Sequence, residues 1–419
     1  MEIKRDYYLQ KLIDSQNNGL VKIITGIRRC GKSYLLNTLF SNYLIKKGIQ
    51  KSHIVKIDFD SPKNKKYHDS LVLFEYLESL IKDKKTYYFL LDEIQIVNEF
   101  ESVLNGLLRI QNVDIYVTGS NSKFLSSDII TEFRGRGDEI RVYPLSFSEF
   151  CSIKKNKNNI NEAWEKYYTY GGLPLVALET NIKKKTDYLK YQTSNIYLND
   201  IIDRYNIKHT DILSTIIEII SSNISSLTNP KIITDTFNTE LKIPVTNKTV
   251  GKYLDYLEDA FLIQKTKRYD IKGRRYIGTP MKYYFTDMGI RNSLLNFRQT
   301  EQDHIMENII YNELKIRGYS VDIGVVEVNE KNKKGDNIRK QLEVDFVCNN
   351  ISKRYYIQSA LSIPTREKMK QETKSLTKIK DSFKKVVIVK DSTITHQNDD
   401  GILIINIYDF LLNLNSLNF

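Results

Sequence analysis

One loop of eight residues constrains the fold of this chain more than any other feature. The loop is Gly-Ile-Arg-Arg-Cys-Gly-Lys-Ser at residues 26–33, and it lies between an apolar run and a second apolar segment. Strand, glycine loop and helix in this order form a P-loop, in which Gly26 and Gly31 let backbone N–H groups surround a phosphate. The following helix adds the positive end of its dipole. The sequence therefore predicts a nucleotide-binding site.

In this interpretation Lys32 reaches the β- and γ-phosphates, and the Ser33 hydroxyl is a ligand of Mg²⁺. A chance loop of glycine and lysine is the alternative, but the strand and helix on either side favour a site for ATP and Mg²⁺. The predicted nucleotide-binding residues are Gly26, Ile27, Arg28, Arg29, Cys30, Gly31, Lys32, Ser33 and Tyr34.

Apolar runs and amphipathic segments alternate along the first part of the chain. Strands are predicted at 20–25, 53–59, 86–91, 113–118 and 139–142, and helices at 7–13, 34–40, 71–81 and 101–109. The nearly continuous apolar run at 86–91 is typical of a strand that is buried on both faces of a parallel sheet. We therefore predict an α/β fold whose core is a P-loop parallel sheet.

Polar residues follow two of these predicted strands. Asp92 and Glu93 have the position of a Walker B pair, in which the aspartate holds Mg²⁺ and the glutamate activates the attacking water. Ser120 and Asn121 end the next strand, where a polar side chain would orient that water near the γ-phosphate. The alternatives are a solvated acidic pair and an ordinary loop.

A second glycine-flanked loop carries two arginines, Arg134 and Arg136. Such an arginine neutralises charge on a transferred phosphoryl group, and we assign this finger role jointly to the two residues. If the finger reaches a neighbouring subunit, the protein is a homo-oligomer. The alternative is a surface arginine that pairs with Asp138 or Glu139.

Composition limits the class of protein. A chain of 419 residues is too long for one core, and its formal net charge of +12 favours a polyanionic partner such as DNA. A bias toward lysine throughout the chain is the alternative explanation of this charge. The isolated Cys30, Cys151 and Cys348 predict a reducing, cytoplasmic location. Neither a secretory signal nor an apolar stretch of about 18 residues is present, so no contact with a membrane is predicted.

The P-loop, Leu-Leu-Asp-Glu-Ile-Gln, Thr-Gly-Ser-Asn-Ser, Arg-Gly-Arg and Tyr-Pro-Leu-Ser-Phe together resemble one prokaryotic group of AAA-superfamily ATPases. In that group the ATPase is fused to a C-terminal domain of unknown function with a nuclease-like fold. The resemblance implies that Tyr170–Pro174 opens a small helical lid behind the nucleotide. The predicted domains are an ATPase core at 1–150, a lid at 151–205, a winged helix-turn-helix at 206–298 and a nuclease-like domain at 299–419.

The winged helix is predicted from three helices, at 212–220, 231–237 and 246–257, followed by strands at 261–266 and 282–285 around a basic turn. In a DNA-binding winged helix the third helix enters the major groove, and Lys272, Arg274 and Arg275 of the turn would contact phosphates. The alternative is a module that packs against protein and leaves these charges in solvent.

The last domain combines a helix that carries Glu307 with strands at 341–348 and 354–360. A hairpin turning at 351–352 places Asp345 opposite Gln358 and Glu343 opposite Ala360. This set resembles the PD-(D/E)xK nuclease core, but Ala360 stands at the lysine position, and Lys353 and Arg354 lie too far along the strand to substitute. We therefore predict a degenerate site at Glu307, Glu343, Asp345 and Gln358 that does not cut DNA.

The sequence as a whole predicts an ATPase that is coupled to DNA or to another partner. Two alternatives stay open: an ATP-dependent DNA-processing nuclease, and a nucleotide-switched binding module with little turnover.

Overall fold

The computed structural model describes residues 3–119, 135–153, 159–298, 301–331, 336–351, 353–391 and 394–418. The predicted site residues Ser120, Asn121 and Arg134 lie outside these ranges. The chain divides into two compact units. Unit 1 comprises Met1–Leu145, Tyr197–Asn206 and Asp259–Phe261, and unit 2 comprises Ser146–Ile196, Ile207–Glu258 and Leu262–Phe419.

The described part of unit 1 is built around a parallel sheet of five strands in the order β2-β3-β4-β1-β5. The strands are β1 Val21–Thr25, β2 Ile54–Asp58, β3 Tyr87–Asp92, β4 Val113–Thr118 and β5 Gly137–Arg141. Every residue of β1 and β3 is buried. The prediction of an α/β parallel-sheet core is therefore confirmed.

Helical segments alternate with these strands along the chain, as expected for parallel strands that need crossover connections. The helical segments are Asp6–Asp14, Lys32–Tyr34, Leu35–Phe40, Ser41–Lys46, Ser70–Ser79, Phe100–Leu107 and Leu198–Tyr205. Strand β4 lies between β1 and β3. The P-loop after β1 and the acids after β3 are thus two strands apart, and the end of β4 lies between them.

Unit 2 contains, in its described residues, a mixed sheet of eight strands in the order β12-β13-β11-β10-β9-β8-β6-β7. The strands are β6 Ile263–Asp270, β7 Arg275–Phe285, β8 Ser320–Lys331, β9 Asn337–Asn350, β10 Lys353–Ala360, β11 Lys384–Val389, β12 His396–Gln397 and β13 Leu403–Asn406. The predicted basic turn is shorter than expected, because β6 continues to Asp270 and β7 already begins at Arg275.

The helices of unit 2 include those predicted for the lid and for the winged helix. They are Phe147–Ile153, Ile160–Tyr170, Pro174–Leu178, Ile182–Tyr191, Thr210–Ser222, Pro230–Thr236, Phe237–Leu241, Asn247–Asp259, Met288–Leu294, Gln302–Ile316, Arg366–Thr377 and Ile407–Leu412. None of the described helices is long and apolar enough to cross a membrane.

The hairpin β6–β7 belongs to the same sheet as the strands of the C-terminal region. Strand β6 pairs with β8 in parallel, and Arg268 lies opposite Ile323 while Asp270 lies opposite Val325. Gly324 of β8 allows close packing on this side, since a Cβ atom there would lie 2.9 Å from Cδ1 of Ile271, the residue after β6. The sheet therefore spans the predicted domain boundary at 298/299, and the domain division itself stays a prediction.

Candidate nucleotide-binding site and a second acidic site

The P-loop backbone depends on its two glycines. Gly26 has φ +135°, and a Cβ atom there would lie 2.1 Å from the carbonyl oxygen of Val142. Gly31 has φ +103° and precedes the helix, whose first bond runs from Leu35 N to Gly31 O at 2.9 Å. Any residue with a Cβ atom is strained at such φ angles, and at Gly26 that atom would also collide with Val142. The loop conformation is thus built into the sequence.

Lys32 is buried, with 4% of its surface exposed. Its Nζ donates hydrogen bonds to the carbonyl oxygens of Gly26 at 2.9 Å and Ile27 at 3.2 Å. Among the described residues it forms no ion pair with a carboxylate. No carboxylate of the described ranges therefore compensates the positive charge of this ammonium, which suits it to an anionic phosphate.

Asp92, at the end of β3, accepts hydrogen bonds from residues of three different elements. Its Oδ1 accepts hydrogen bonds from Ser33 Oγ at 3.0 Å and from Thr118 Oγ1, and its Oδ2 accepts one from Asn37 Nδ2 at 2.9 Å. Burial raises the pKa of Asp92 above its ordinary value, while the bonds from Thr118 and Ser33 act in the opposite direction. Ser33 and Asp92 thus present adjacent hard oxygens of the kind that Mg²⁺ prefers.

Glu93 follows directly and adopts a left-handed backbone conformation, with φ +56°. Its N–H donates to Thr118 Oγ1 at 3.0 Å, and its Oε2 accepts a hydrogen bond from Gln95 Nε2. Thr118 at the end of β4 therefore links both acids. The sequence pattern predicts Ser120 and Asn121 as the polar residues of this strand end, whereas the structure gives a role to Thr118, two and three positions earlier.

The remaining loop residues have structural partners. Ile27 and Cys30 are buried, and Tyr34 Oη accepts a hydrogen bond from Ile3 N at 3.2 Å. Arg28 Nη1 lies 3.0 Å from Asp200 Oδ2 in an ion pair that the sequence did not indicate. Arg29 has φ +66°.

Of the two finger candidates, only Arg136 lies in the described ranges. It is exposed, and its Nη1 donates to Asn105 Oδ1 at 3.1 Å. Arg134 lies outside the described residues, so the joint assignment stays a prediction.

A second charged site lies in unit 2 and is organised by a lysine that sequence analysis did not consider. Lys282 Nζ lies 2.9 Å from Glu307 Oε1 and 2.7 Å from Glu343 Oε1. Tyr284 Oη also donates to Glu307 Oε1 at 2.7 Å. Lys282 is 4% exposed, and although burial alone would lower its pKa, the carboxylates of Glu307, Asp345 and Glu343 raise it.

The other members of the predicted degenerate site are close by. The paired register of β9 and β10 ends at Phe346 and Ile357, which are the chain neighbours of Asp345 and Gln358, so the predicted pairing of these two residues stays a prediction. Ser359 N donates to Asp345 Oδ2 at 2.8 Å. Burial raises the pKa of Asp345 well above its ordinary value.

Gln358 and Ala360 show how this site departs from a nuclease. Gln358 Oε1 is buried and accepts no hydrogen bond from the described residues. Ala360 packs in an apolar cluster with Val344 and Tyr356. No group of three or more His, Cys, Asp or Glu side chains in the described ranges is arranged to hold a metal ion.

The predicted DNA-contacting residues surround a capped turn. Gly273 N donates to Asp270 Oδ1 at 2.9 Å, and a Cβ atom on Gly273 would lie 2.3 Å from Asp270 Oδ2. Arg275 Nε lies 3.6 Å from Asp270 Oδ2, whereas Lys272 and Arg274 are exposed and have no ion-pair partner among the described residues. Two of the three cations therefore remain available to an external anion.

Comparison with known proteins identifies two family matches and several relatives. The family described as "AAA domain" matches residues 18–151, and the family described as "Domain of unknown function (DUF8612)" matches residues 161–301. An uncharacterized protein of Haemophilus influenzae is 35% identical over 414 residues, which is 98% of this chain and 98% of that protein. The uncharacterized protein MJ1544 of Methanocaldococcus jannaschii is 29% identical over 364 residues, 82% of this chain and 74% of that protein.

Solved structures with lower similarity include two proteins of Aeropyrum pernix. The ORC2 protein, solved in ADPNP-ADP complexes, aligns with a TM-score of 0.35 and 11% identity over 73% of this chain and 91% of that chain. The ORC1 protein in complex with DNA aligns with a TM-score of 0.27 and 12% identity over 71% of this chain and 93% of that chain. Alignments at these TM-scores carry no information on what this chain binds.

Proposed function

We propose that this chain, which belongs to the same family as the Haemophilus influenzae protein and carries an AAA domain, binds and hydrolyses Mg·ATP. The observation that carries the proposal is the buried Lys32, whose ammonium bonds to carbonyl oxygens at 2.9 and 3.2 Å and to no carboxylate in the part of the chain that the structure describes. A buried ammonium without a counter-ion is costly, and a bound phosphate removes that cost. The AAA domain match over residues 18–151 supports the same conclusion.

Each residue of the site has a separate task in this proposal. Lys32 and the N–H groups of the loop hold the phosphates, and Ser33 with Asp92 would hold Mg²⁺, which supplies charge neutralisation at the transferred phosphoryl group. Glu93 orients the attacking water and accepts its proton. Ser120 and Asn121 keep their proposed role near the γ-phosphate.

ATP binding and ATP turnover measured on the same variants test this proposal. Lys32→Ala is expected to remove binding, whereas Glu93→Gln is expected to bind ATP and to lose turnover, because Glu93 acts only on the water. Lys46→Ala, at an exposed lysine that ends the helical segment Ser41–Lys46, serves as the matched control. Equal phosphate release by the wild type and Glu93→Gln would overturn the Walker B assignment.

The wing is proposed to couple this ATPase to DNA. The exposed Lys272 and Arg274 support contact with phosphates, and a module that packs against protein is the alternative. The three cysteines are free thiols, which supports a cytoplasmic location for the protein. A nucleotide-switched binding module remains the outcome if ATP binds without turnover.

Assembly into a homo-oligomer is proposed only through the finger residues Arg134 or Arg136. If one of them acts on ATP bound to a neighbouring subunit, specific activity should rise with protein concentration as the oligomer forms. A constant specific activity across a dilution series, with a monomer seen by light scattering, would rule this assembly out.

The C-terminal domain is proposed not to cleave DNA. Lys282, a cation that contacts the acids, forms ion pairs with Glu307 and Glu343 at 2.9 and 2.7 Å. Its positive charge is therefore neutralised and is not available to stabilise charge on a phosphodiester. Single-stranded, duplex and branched DNA incubated with Mg²⁺ or Mn²⁺ should stay intact. Robust cutting that disappears in Asp345→Ala would instead establish the nuclease alternative.

A further inference from the structure

Unit 2 contains a concave surface whose lining includes none of the residues of the acidic site. It is a cleft of about 820 Å³ lined by β6, β8 and β10, by the turn between β6 and β7, and by the C-terminal end of the helix Arg366–Thr377 with the loop after it. Ligand sites of small molecules and short polymer segments have volumes in this range. We call this surface the basic cleft.

Charge is the first property of the basic cleft. Its lining includes seven lysine or arginine side chains and three carboxylates. The carboxylates are engaged within the protein: Glu330 lies 2.7 Å from Lys374, and Asp381 accepts a hydrogen bond from Tyr356 Oη at 2.6 Å. The third, Glu327, pairs with a residue outside the lining.

Four of the cations, in contrast, are exposed and unpaired among the described residues. Lys272, Arg274, Lys378 and Lys380 have neither an ion pair nor a side-chain hydrogen bond in the part of the chain that the structure describes. Like charges that converge on one concave surface repel each other and attract a polyanion. The protein does not supply that anion within the described ranges, so we expect it to come from outside.

Aromatic rings are the second property. The guanidinium of Arg354 lies 5.6 Å from the ring centroid of Tyr269 and 5.2 Å from that of Phe383. Asn349 Oδ1 accepts a hydrogen bond from Arg354 Nε at 2.7 Å and holds the guanidinium in place. Phe383 keeps 41% of its surface exposed. A planar cation and an exposed ring, fixed beside unpaired lysines, form a surface on which a flat heterocycle can stack.

We propose that the basic cleft binds a single strand of nucleic acid, with its phosphates on the four unpaired cations and its bases on Phe383 and Arg354. A single strand is favoured over a duplex because paired bases are stacked on each other and do not present their faces to side-chain rings. This inference rests on the proposed coupling to DNA, to which it adds the site and the form of the polymer.

Fluorescence anisotropy of a labelled thymidine oligonucleotide with the full chain, without nucleotide, tests the charged part of the cleft. Replacing Lys272, Arg274, Lys378 and Lys380 together with Ala should weaken binding about tenfold or more and should lower the slope of log Kd against log salt by about 3. The matched control replaces Lys183, Lys184, Lys208 and Lys231, which are exposed lysines outside the cleft, with Ala. Equal binding by the two quadruple variants would overturn the proposal.

Phe383→Ala tests the stacking part separately. Binding should weaken by about fivefold to a hundredfold, since loss of one stacked base has this range, while the salt slope stays unchanged because no charge is removed. An unchanged affinity would mean that the bases do not stack on Phe383. The cleft would then be a site for free phosphate or pyrophosphate, and the proposal would be overturned.

A duplex of the same length and the variant Lys248→Ala/Lys252→Ala distinguish this inference from the proposed winged helix. Lys248 and Lys252 lie on the helix that would enter a major groove and are absent from the cleft. Loss of duplex binding in this variant, with strand binding intact, supports the basic cleft as a separate site. A duplex that binds as tightly as the strand and responds equally to the cleft variants would overturn the choice of a single strand.

Discussion

Lys32 and Lys282 are both buried lysines, each 4% exposed, and they lie in different units of the molecule. Among the described residues, Lys32 bonds only to carbonyl oxygens, at 2.9 and 3.2 Å. Lys282 meets the carboxylates of Glu307 and Glu343 at 2.9 and 2.7 Å. Burial alone therefore does not tell what a lysine does. The neutral partners of Lys32 leave its charge for a ligand, whereas the acidic partners of Lys282 use that charge to hold unit 2 together.

Substitution of each lysine by methionine tests this contrast, and it has the largest expected effect on stability. Lys282→Met leaves the buried Glu307 and the partly exposed Glu343 without their cation, and the unpaired Glu307 should lower the free energy of unfolding of unit 2 by about 3–5 kcal/mol. Lys32→Met should leave that value unchanged and remove ATP binding. The single tryptophan, Trp164, is buried in unit 2, so its fluorescence during urea unfolding reports this unit.

A triple variant serves as the control for this experiment. Adding Glu307→Gln and Glu343→Gln to Lys282→Met removes the unpaired charges and should restore part of the lost stability. Identical urea midpoints for the wild type and Lys282→Met would show that the ion pairs of Lys282 contribute nothing, and the contrast with Lys32 would then fail.

Asp287 extends the comparison to a buried acid that is held by backbone groups. Its Oδ2 accepts a hydrogen bond from Gly172 N at 2.7 Å and its Oδ1 one from Ile290 N at 3.1 Å. Burial raises the pKa of Asp287 from 3.8 to about 6, against the opposing effect of these bonds. Because the folded pKa exceeds the unfolded one, the stabilisation is complete below about pH 4 and is lost as the pH rises through about 6.

The size of this pH effect follows from the difference between the two pKa values, and it amounts to at most about 3 kcal/mol. Asp287→Asn should therefore flatten the dependence of unfolding free energy on pH between 4 and 6 when compared with the wild type. Trp164 fluorescence in urea at each pH gives both curves. Parallel curves for the two proteins would mean that Asp287 titrates alike in the folded and unfolded states.

Asp345→Asn tests a smaller effect within the acidic site. The pKa of Asp345 is raised by burial and then by Glu307, so its ionised form disfavours folding as the pH rises. Asparagine keeps an acceptor for Ser359 N and removes this charge, and we expect a gain of about 1 kcal/mol at pH 8 with ATP turnover unchanged. The same exchange at Asp92 should abolish turnover. A loss of stability in Asp345→Asn would point to a required carboxylate.

The smallest expected effect is that of an ion pair with a solvent-exposed member. Arg275 Nε lies 3.6 Å from Asp270 Oδ2, but the arginine side chain is 75% exposed. Arg275→Ala should change the unfolding free energy by less than about 0.5 kcal/mol. A larger loss, measured by the same urea titration, would mean that the turn between β6 and β7 depends on this pair and not on the cap from Asp270 to Gly273 N.

The parts of the fold that the sequence predicts well are those encoded locally. The P-loop is a contiguous pattern, and the conformation of Gly26 and Gly31 requires that residue type. The buried strands of the parallel sheet are visible as apolar runs. Strand β8 was missed, because Gly324 and a register shift between Asp322 and Gly324 interrupt its alternation.

The parts that the sequence does not reveal depend on distant residues. Lys282 reaches Glu343 only because β7 and β9 belong to one sheet. Spacing along the chain points instead to Lys353 and Arg354, which lie on the same strand as Ala360. Thr118 and Asn37 likewise have no local signal in the sequence, because each is a site residue only through its hydrogen bond to the distant Asp92. Local patterns give the elements, while tertiary packing decides which charges are compensated.

The parallel pairing of β6 with β8 also has a consequence for synthesis on the ribosome. Strand β6 ends at Asp270 and β8 begins at Ser320, so at roughly 5–20 residues per second the partner strand emerges several seconds later. During that interval the outer edge of the nascent hairpin has unpaired N–H and C=O groups. Lys265, Lys267 and Arg268 place three positive charges on this strand, and such charges discourage pairing with the edge of another nascent chain.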